Sequence, residues 1–256
     1  MINLKKKIKN KEVTFGSWMN IGNAYIAEIM VQAGFDWIVI DMEHTAITYE
    51  DQQRLIQTIE LAGSIPLVRV DSNNEVSIKK ALDAGAHGII VPMINNESDA
   101  LRAVSYTYYP PRGIRGVGLS RAQKYGFGFD AYKKWLKSEC VVIAQIESVK
   151  ALDELEKILT VEGIDGFIIG PYDLSASIGY PGEYDRKEVA DALSKVEAIS
   201  DRINATKGYH VVNVENNKVE NLVRSGYSFI ALGVDEIFLG SACRVAIENS
   251  KKIGGK

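Results

Sequence analysis

Short apolar, β-branched runs recur along the chain, each followed by a segment with helical spacing. The runs are VTFGSW (13–18), DWIVIDME (36–43), PLVRV (66–70), GIIVPM (88–93), VVIAQIE (141–147), GFIIGPYD (166–173), YHVVNV (209–214) and FIALGV (229–234), giving eight candidate strands. WIVI and GIIV are apolar without alternation, the pattern of parallel strands buried on both faces. Between the runs, Thr48 stands three residues before Asp51 and ahead of Leu55, Ile56 and Ile59, a capping-box-like helix start. QAGFDWIVI, DAGAHGIIV and RSGYSFIAL each read helix, glycine, short turn, strand, with Gly34 and Gly85 as helix stops. Strand and helix alternating in this way predict βαβ units and a mostly parallel sheet. Eight such units fit a closed (β/α)8 TIM barrel better than an open doubly wound sheet.

The length agrees: 256 residues stand beside the roughly 250 of one such barrel. No linker, low-complexity segment or break in composition divides the chain, so a single barrel domain over 1–256 is expected. With 46% hydrophobic and 25% charged residues, chain-wide disorder and coiled coil are excluded. Thirty Lys and Arg against 33 Asp and Glu leave a net charge of −3, with no basic excess to attract nucleic acid. The basic start MINLKKKIKN precedes no apolar segment, so no signal peptide is expected there. No apolar stretch approaches the ~20 residues of a membrane span. Cys140 and Cys243 lie far apart and outside any metal-type spacing, which suits a reduced cytoplasm. These features imply a soluble cytoplasmic enzyme.

Barrel chemistry gathers at the C-terminal ends of the strands. There the sequence places Trp18, Asp41-Met42-Glu43-His44, Arg69, Gln145-Ile146-Glu147 and Gly170-Pro171-Tyr172-Asp173. Charged side chains at such points are costly to desolvate unless paired or bound to a metal. Glu147 and Asp173 end consecutive strands, which lie roughly 4.8 Å apart. Two carboxylates so close repel, and Mg2+ resolves the repulsion with one or two carboxylates while keeping positions for water and substrate. The plainer reading makes both residues helix N-caps, ahead of SVKALDEL and LSASIG. His44 is the histidine placed to act as a base near neutral pH. Arg69 offers a fixed positive fork to a carboxylate or developing enolate oxygen, alongside or instead of an ion pair to Asp41 or Glu43. His87, in the turn before the fourth strand, reads as structural, and His210, inside the seventh, as a packed core residue. The glycines of 113–118 follow no strand and open no helix, so a dinucleotide site is not indicated. Lys5-Lys6-Lys7 with Lys9 reads as the solvated face of a short helix. No strand ends in a lysine that could form an imine. The irregular stretch 108–129 is long enough to be functional.

DMEH (41–44), VRV (68–70), LDAGAHGIIVPM (82–93), YPPRGIRGVG (109–118), QIES (145–148) and VEGIDGFIIGPYDLSASIG (161–179) together resemble the HpcH/HpaI family of metal-dependent 2-oxo acid aldolases. The resemblance runs from GSW (16–18) to the last strand. It implies a barrel of the phosphoenolpyruvate/pyruvate superfamily, assembled as a hexamer, a trimer of dimers. It implies Mg2+ or Mn2+ (Co2+ in relatives) held by Glu147 and Asp173, and pyruvate chelating that metal. Arg69 is then the enolate stabiliser, Gln145, Tyr172, Asp173 and Trp18 bind substrate, and His44 is the general base for the C4 hydroxyl. The reaction implied is reversible cleavage of a 4-hydroxy-2-oxo acid, such as a 2-keto-3-deoxy sugar acid or a 4-hydroxy-2-oxoheptanedioate, to pyruvate and an aldehyde through a metal-bound enolate. Asp83 matches the aspartate that raises the basicity of that histidine. Because Asp83 closes a helix at the opposite end of its own barrel, it meets His44 only from a neighbouring subunit.

Leu119 to Phe127 and Tyr209 to Asn213 depart from the family pattern, which leaves the pyruvate end intact and the aldehyde open. An acyl-CoA lyase of the citryl- or malyl-CoA type is the alternative, with Arg112, Arg115 and Arg121 as its candidate phosphate ligands. A non-catalytic oxo-acid-binding barrel is the other; loss of Glu147, Asp173, Arg69 or His44 would mark it, and all four are present.

Overall fold

The computed structural model describes residues 3–253. Met1, Ile2 and the last three residues of the expected 1–256 domain lie outside the described residues. Eight strands close into one barrel in sequence order, every neighbouring pair parallel: β1 (Thr14–Met19), β2 (Trp37–Asp41), β3 (Ile65–Arg69), β4 (Gly88–Val91), β5 (Val141–Ile146), β6 (Gly166–Ile169), β7 (Lys207–Val211) and β8 (Tyr227–Val234). All eight fall on the expected runs, and the (β/α)8 architecture is as the pattern implies.

The helices are α1 (Leu4–Lys9), α2 (Ala24–Gln32), α3 (Tyr49–Ala62), α4 (Glu75–Ala84), α5 (Glu97–Thr107), α6 (Phe129–Ser138), α7 (Leu155–Thr160), α8 (Pro171–Ile178), α9 (Lys187–Arg202), α10 (Asn216–Arg224) and α11 (Asp235–Ile253). The capping box is present: Thr48 Oγ1 accepts from the Asp51 N–H and Asp51 Oδ2 from the Thr48 N–H, both at 3.2 Å. Gly34, Gly85 and Gly226 sit at φ of +99°, +104° and +81°. Only glycine takes that left-handed turn without strain, which is why each helix stops there.

Apolar side chains fill two regions. One lies between the strands and the helices. The other fills the barrel interior with Trp37, Val39, Leu67, Ile143, Ile168 and Phe229, closed from below by Leu4 and Ile8 of α1. The lysine run on α1 is therefore not wholly a solvated face. Lys5 Nζ lies 2.8 Å from Asp165 Oδ2 and donates to the Cys140 carbonyl at 2.7 Å, pinning the plug to the barrel floor. Several strands end earlier than the pattern suggested: β7 stops at Val211, short of the run to Val214, and β3 and β5 each stop one residue early. Met42 and Glu43 leave β2, Pro92 and Met93 leave β4, and Pro171 to Asp173 form the first turn of α8. Proline at the first helical position lacks only an N–H that would go unpaired there, so the chain turns into a helix as soon as β6 ends.

Candidate active site

The register that pairs Asp41 with Arg69 across β2 and β3 sets the centre of the site. Asp41 Oδ1 accepts from Arg69 Nε at 2.9 Å and Oδ2 from Nη2 at 2.6 Å, a bidentate fork. The Glu43 N–H donates to Asp41 Oδ1 at 3.0 Å, and Arg69 Nη1 lies 3.3 Å from Glu43 Oε2. Burial works against the arginine's charge, but hydrogen bonds and charge from Asp41, with Glu43 and Glu147 nearby, raise its pKa above the ordinary value. The expected ion pair and a fixed positive fork thus coexist.

Glu147 stands just past β5. Its Oε1 accepts from the Met93 N–H at 2.7 Å, and its Oε2 accepts from Gln145 Nε2. Burial raises its pKa, the two hydrogen bonds oppose that, and Asp173 adds to the rise. The helix-cap reading does not hold for either carboxylate. Ser148 caps the turn after β5, and Asp173 lies inside the first turn of α8, whose N-cap is Gly170. A Cβ on Gly170 would lie 3.3 Å from Glu147 Oε2 and 3.6 Å from Asp173 Oδ2, so both carboxylates converge over a backbone that only glycine leaves bare.

Glu43 completes an acidic crescent. Burial, opposed by Arg69 and reinforced by Glu147, Asp41 and Asp173, pushes its carboxyl up to about 7, and its Oε2 is buried without a hydrogen-bond partner. Four carboxylates around one guanidinium make a cavity that favours a further positive charge. Among the described residues no three His, Cys, Asp or Glu side chains are arranged to hold a metal ion. A cation here would take Glu147 and Asp173 and leave its other positions to water and substrate, the way Mg2+ binds.

A small open cavity of about 60 Å³ adjoins this crescent, walled by Trp18, Arg69, Gln145, Tyr172, Asp173 and His210 among others. The Trp18 ring is under the Arg69 guanidinium, 5.4 Å from its centroid, and its Nε1 is buried without a partner. Gln145 donates to a carboxylate through Nε2, which leaves its buried Oε1 without a partner. Tyr172 is half-exposed and meets Tyr184 edge-on at 5.6 Å. His44 stands at the rim, its side chain 64% exposed and Nε2 3.8 Å from Glu43 Oε2.

Trp18, Arg69, Gln145, Glu147, Tyr172 and Asp173 therefore come together, with His44 beside them. Asp83 does not. It lies in the last turn of α4 at the other end of the barrel, 2.5 Å from Arg115 Nη2. Asp41, Glu43 and His210 are additional residues of the site. DMEH contained the first two, and the end of β2 beside Arg69 was the signal that could have found them. His210 is packed inside β7 as expected, yet it forms part of the cavity wall.

Arg115 is wholly buried between Asp83 and the Tyr132 hydroxyl, 3.1 Å away. Arg121 pairs with Glu60 and donates to the Ala84 carbonyl, and Arg112 lies 3.8 Å over the Tyr108 ring. None faces the cavity, so the phosphate-binding cluster of an acyl-CoA site is not built from them. His87, 3.4 Å from Glu60, belongs to the same lower end and is structural as expected.

The profile of the HpcH/HpaI aldolase/citrate lyase family matches residues 14–242. A 2-keto-3-deoxy-L-rhamnonate aldolase of Escherichia coli O6:K15:H31 (strain 536 / UPEC) is 37% identical over 254 residues, covering 98% of this chain and 94% of that one. The crystal structure of an HpcH/HpaI aldolase/citrate lyase family protein from Burkholderia cenocepacia J2315 superposes with a TM-score of 0.91 at 32% identity, covering 98% of this chain and all of that one. The HpcH/HpaI aldolase of Desulfitobacterium hafniense DCB-2 superposes at 0.88 with 28% identity, covering 97% and 96% of the two chains. Barrel, acidic crescent and full-length similarity agree, and the chain is a carbon–carbon lyase belonging to the HpcH/HpaI aldolase/citrate lyase family.

Proposed function

We propose that the protein cleaves a 4-hydroxy-2-oxo acid of the 2-keto-3-deoxy sugar acid class to pyruvate and an aldehyde, and runs the reverse condensation. The convergence of Glu147 and Asp173 over Gly170, beside the forked Arg69, carries this reading. The relative's name supports the sugar-acid class. Glu147 and Asp173 would hold a divalent metal, Mg2+ or Mn2+ with Co2+ a further candidate, whose charge draws electrons from the 2-oxo acid. Arg69, immobilised by Asp41, faces negative charge developing on the 2-oxo oxygen as the C3–C4 bond breaks, a preorganised stabilisation. Gln145 and the unpaired N–H groups of the first turn of α8, around Tyr172, orient the pyruvate carboxylate at the positive end of that helix. Trp18 closes the wall against water. His44 takes the proton of the C4 hydroxyl through a water, which its exposed place at the rim allows.

Asp83 reaches His44 from a second copy of the chain, in a homo-oligomer that we take to be a hexamer, a trimer of dimers. The form of α11 supports assembly: of its 19 residues only Asp235 is buried, and Phe238, Leu239, Val245 and Ile247 stand exposed. A cytoplasmic enzyme fits two free cysteines, one of them buried. Among the described residues no helix is long and apolar enough to cross a membrane.

The test is exchange of pyruvate methyl protons with deuterated solvent, followed by NMR with Mg2+ or Mn2+ and again with EDTA. Metal-dependent exchange without aldehyde is expected. No exchange even with Mg2+ or Mn2+ present would overturn the proposal.

A further inference from the structure

We propose that Met93 is a positioning residue, whose left-handed backbone aims the N–H that holds Glu147 in place for a divalent cation. The inference rests on the metal-holding role proposed above for Glu147. Met93 has φ +54°, in the left-handed region that asparagine enters readily and β-branched residues least. Residues other than glycine that are held there cluster at functional sites, where the surroundings enforce the conformation. The Met93 side chain does not enforce it, being 53% exposed. What the turn delivers is the Met93 N–H, which donates to Glu147 Oε1 at 2.7 Å, while Gln145 Nε2 donates to Oε2. Glu147 is thus gripped at both oxygens, and each keeps a further lone pair for a cation.

The chain locks this turn on both sides. Downstream, Ile94 is fully buried, the Met93 carbonyl accepts from Asn95 Nδ2 at 3.0 Å, and the Asn95 N–H donates to Asp99 Oδ2 at 2.9 Å. Upstream, Pro92 is buried, and its ring fixes its own φ. Relief of the strain is left to the Pro92–Met93 peptide. Carrying φ of Met93 to an ordinary negative value swings that peptide by more than about 100°. The N–H then turns away, and a carboxylate that is almost wholly buried loses a partner. A residue that resists positive φ therefore loosens Glu147, and one that accepts it does not.

Calorimetric titration with Mn2+ tests this in three variants, with a thermal melt in EDTA to show that each is folded. Met93→Ile keeps an apolar side chain of similar size but resists the left-handed turn, and its Mn2+ affinity should fall about tenfold or more. Met93→Asn and Met93→Gly discard that side chain but accept the turn, and should bind Mn2+ within about threefold of wild type. Packing of the side chain would give the reverse order. Wild-type affinity in Met93→Ile, or a loss of about tenfold in Met93→Asn, would overturn the assignment. Should Met93→Ile fail to fold, the asparagine and glycine variants carry the test: retained affinity supports it, and a loss of about tenfold refutes it. Absence of Mn2+ binding by the wild type would instead defeat the metal-holding role of Glu147.

Discussion

Gly170→Ala tests the heart of the site with a single carbon atom. Gly170 has φ −90° and ψ 92°, extended backbone that alanine adopts freely. The added methyl would sit 3.3 Å from both Cβ and Oε2 of Glu147 and 3.6 Å from Asp173 Oδ2. The first two distances are tighter than ordinary contact, so the Glu147 carboxylate must yield by a few tenths of an ångström. Ligand distances to a small hard cation tolerate only about 0.2 Å. Metal affinity should therefore fall at least about tenfold, near 1.4 kcal/mol. Fold stability should scarcely move. Replacing glycine by alanine at a compatible φ gains about 0.4–1 kcal/mol through the unfolded chain, and the squeeze on Glu147 offsets it. In EDTA the unfolding midpoint should stay within about 3 °C of wild type. Calorimetric titration with Mn2+ and a thermal melt in EDTA read the two effects separately. An unchanged Mn2+ affinity would show that Glu147 and Asp173 do not jointly hold the cation. A large drop in midpoint would show that the methyl acts through the fold.

Arg69→Lys keeps the charge and loses the fork, so pyruvate proton exchange should fall about 100-fold or more; near-wild-type exchange would remove Arg69 from the chemistry. His44→Ala should slow aldol cleavage more than proton exchange, and equal losses in the two assays would count against His44 as the base for the C4 hydroxyl. Glu43, raised to about 7 chiefly by burial, binds a proton in the folded state that the unfolded chain has already released above its ordinary value of 4.5. Stability of the metal-free protein should therefore fall as pH rises from about 4.5 to 7 and level off above. The full shift corresponds to about 3 kcal/mol and screening at this partly exposed carboxyl reduces it to about 1. In urea titrations Glu43→Gln should flatten that slope, and an unchanged slope would refute the argument. If the site is shared between subunits, co-expressing His44→Ala with Asp83→Ala should restore cleavage in sites that draw both intact residues from different chains, whereas no gain over the single variants would place the pair otherwise.

The barrel was legible because parallel strands buried on both faces write continuous apolar runs, and GIIV and WIVI have little else they can form. Strand ends were less legible. Asp173 belongs to a run that reads as strand, yet Pro171 starts a helix, and periodicity over so short a segment cannot separate the two. The site followed from strand ends, which fixed Arg69, Gln145 and Glu147. Asp41 was visible only as a possible partner of Arg69, because its role depends on register, and register pairs residues far apart in sequence. Lys5 showed the opposite failure. Four lysines in a row of six positions look solvated, but Asp165, 160 residues away, draws one of them in. His210 was read as core because it interrupts an apolar strand. Its position as core and its position as cavity wall differ only in what lies above it.

That last distinction bears on how such a site persists. Gln145 Oε1 and Trp18 Nε1 are buried without hydrogen-bond partners, and both residues wall the cavity at the mouth of the barrel. Each such group costs about 1–3 kcal/mol relative to a paired one, and four crowded carboxylates add repulsion. At the lower end Arg115 pairs with Asp83, and Arg121 and His87 both pair with Glu60. The burial of Glu60 is similar to that of Glu43, yet hydrogen bonds from His87 and Arg121 pull Glu60 down to about 2 while Glu43 rises to about 7. The difference is the partner supplied. For Glu60 the protein supplies it, and at the rim the excess negative charge beside the held guanidinium specifies a ligand set: a cation for the carboxylates and an anion for Arg69.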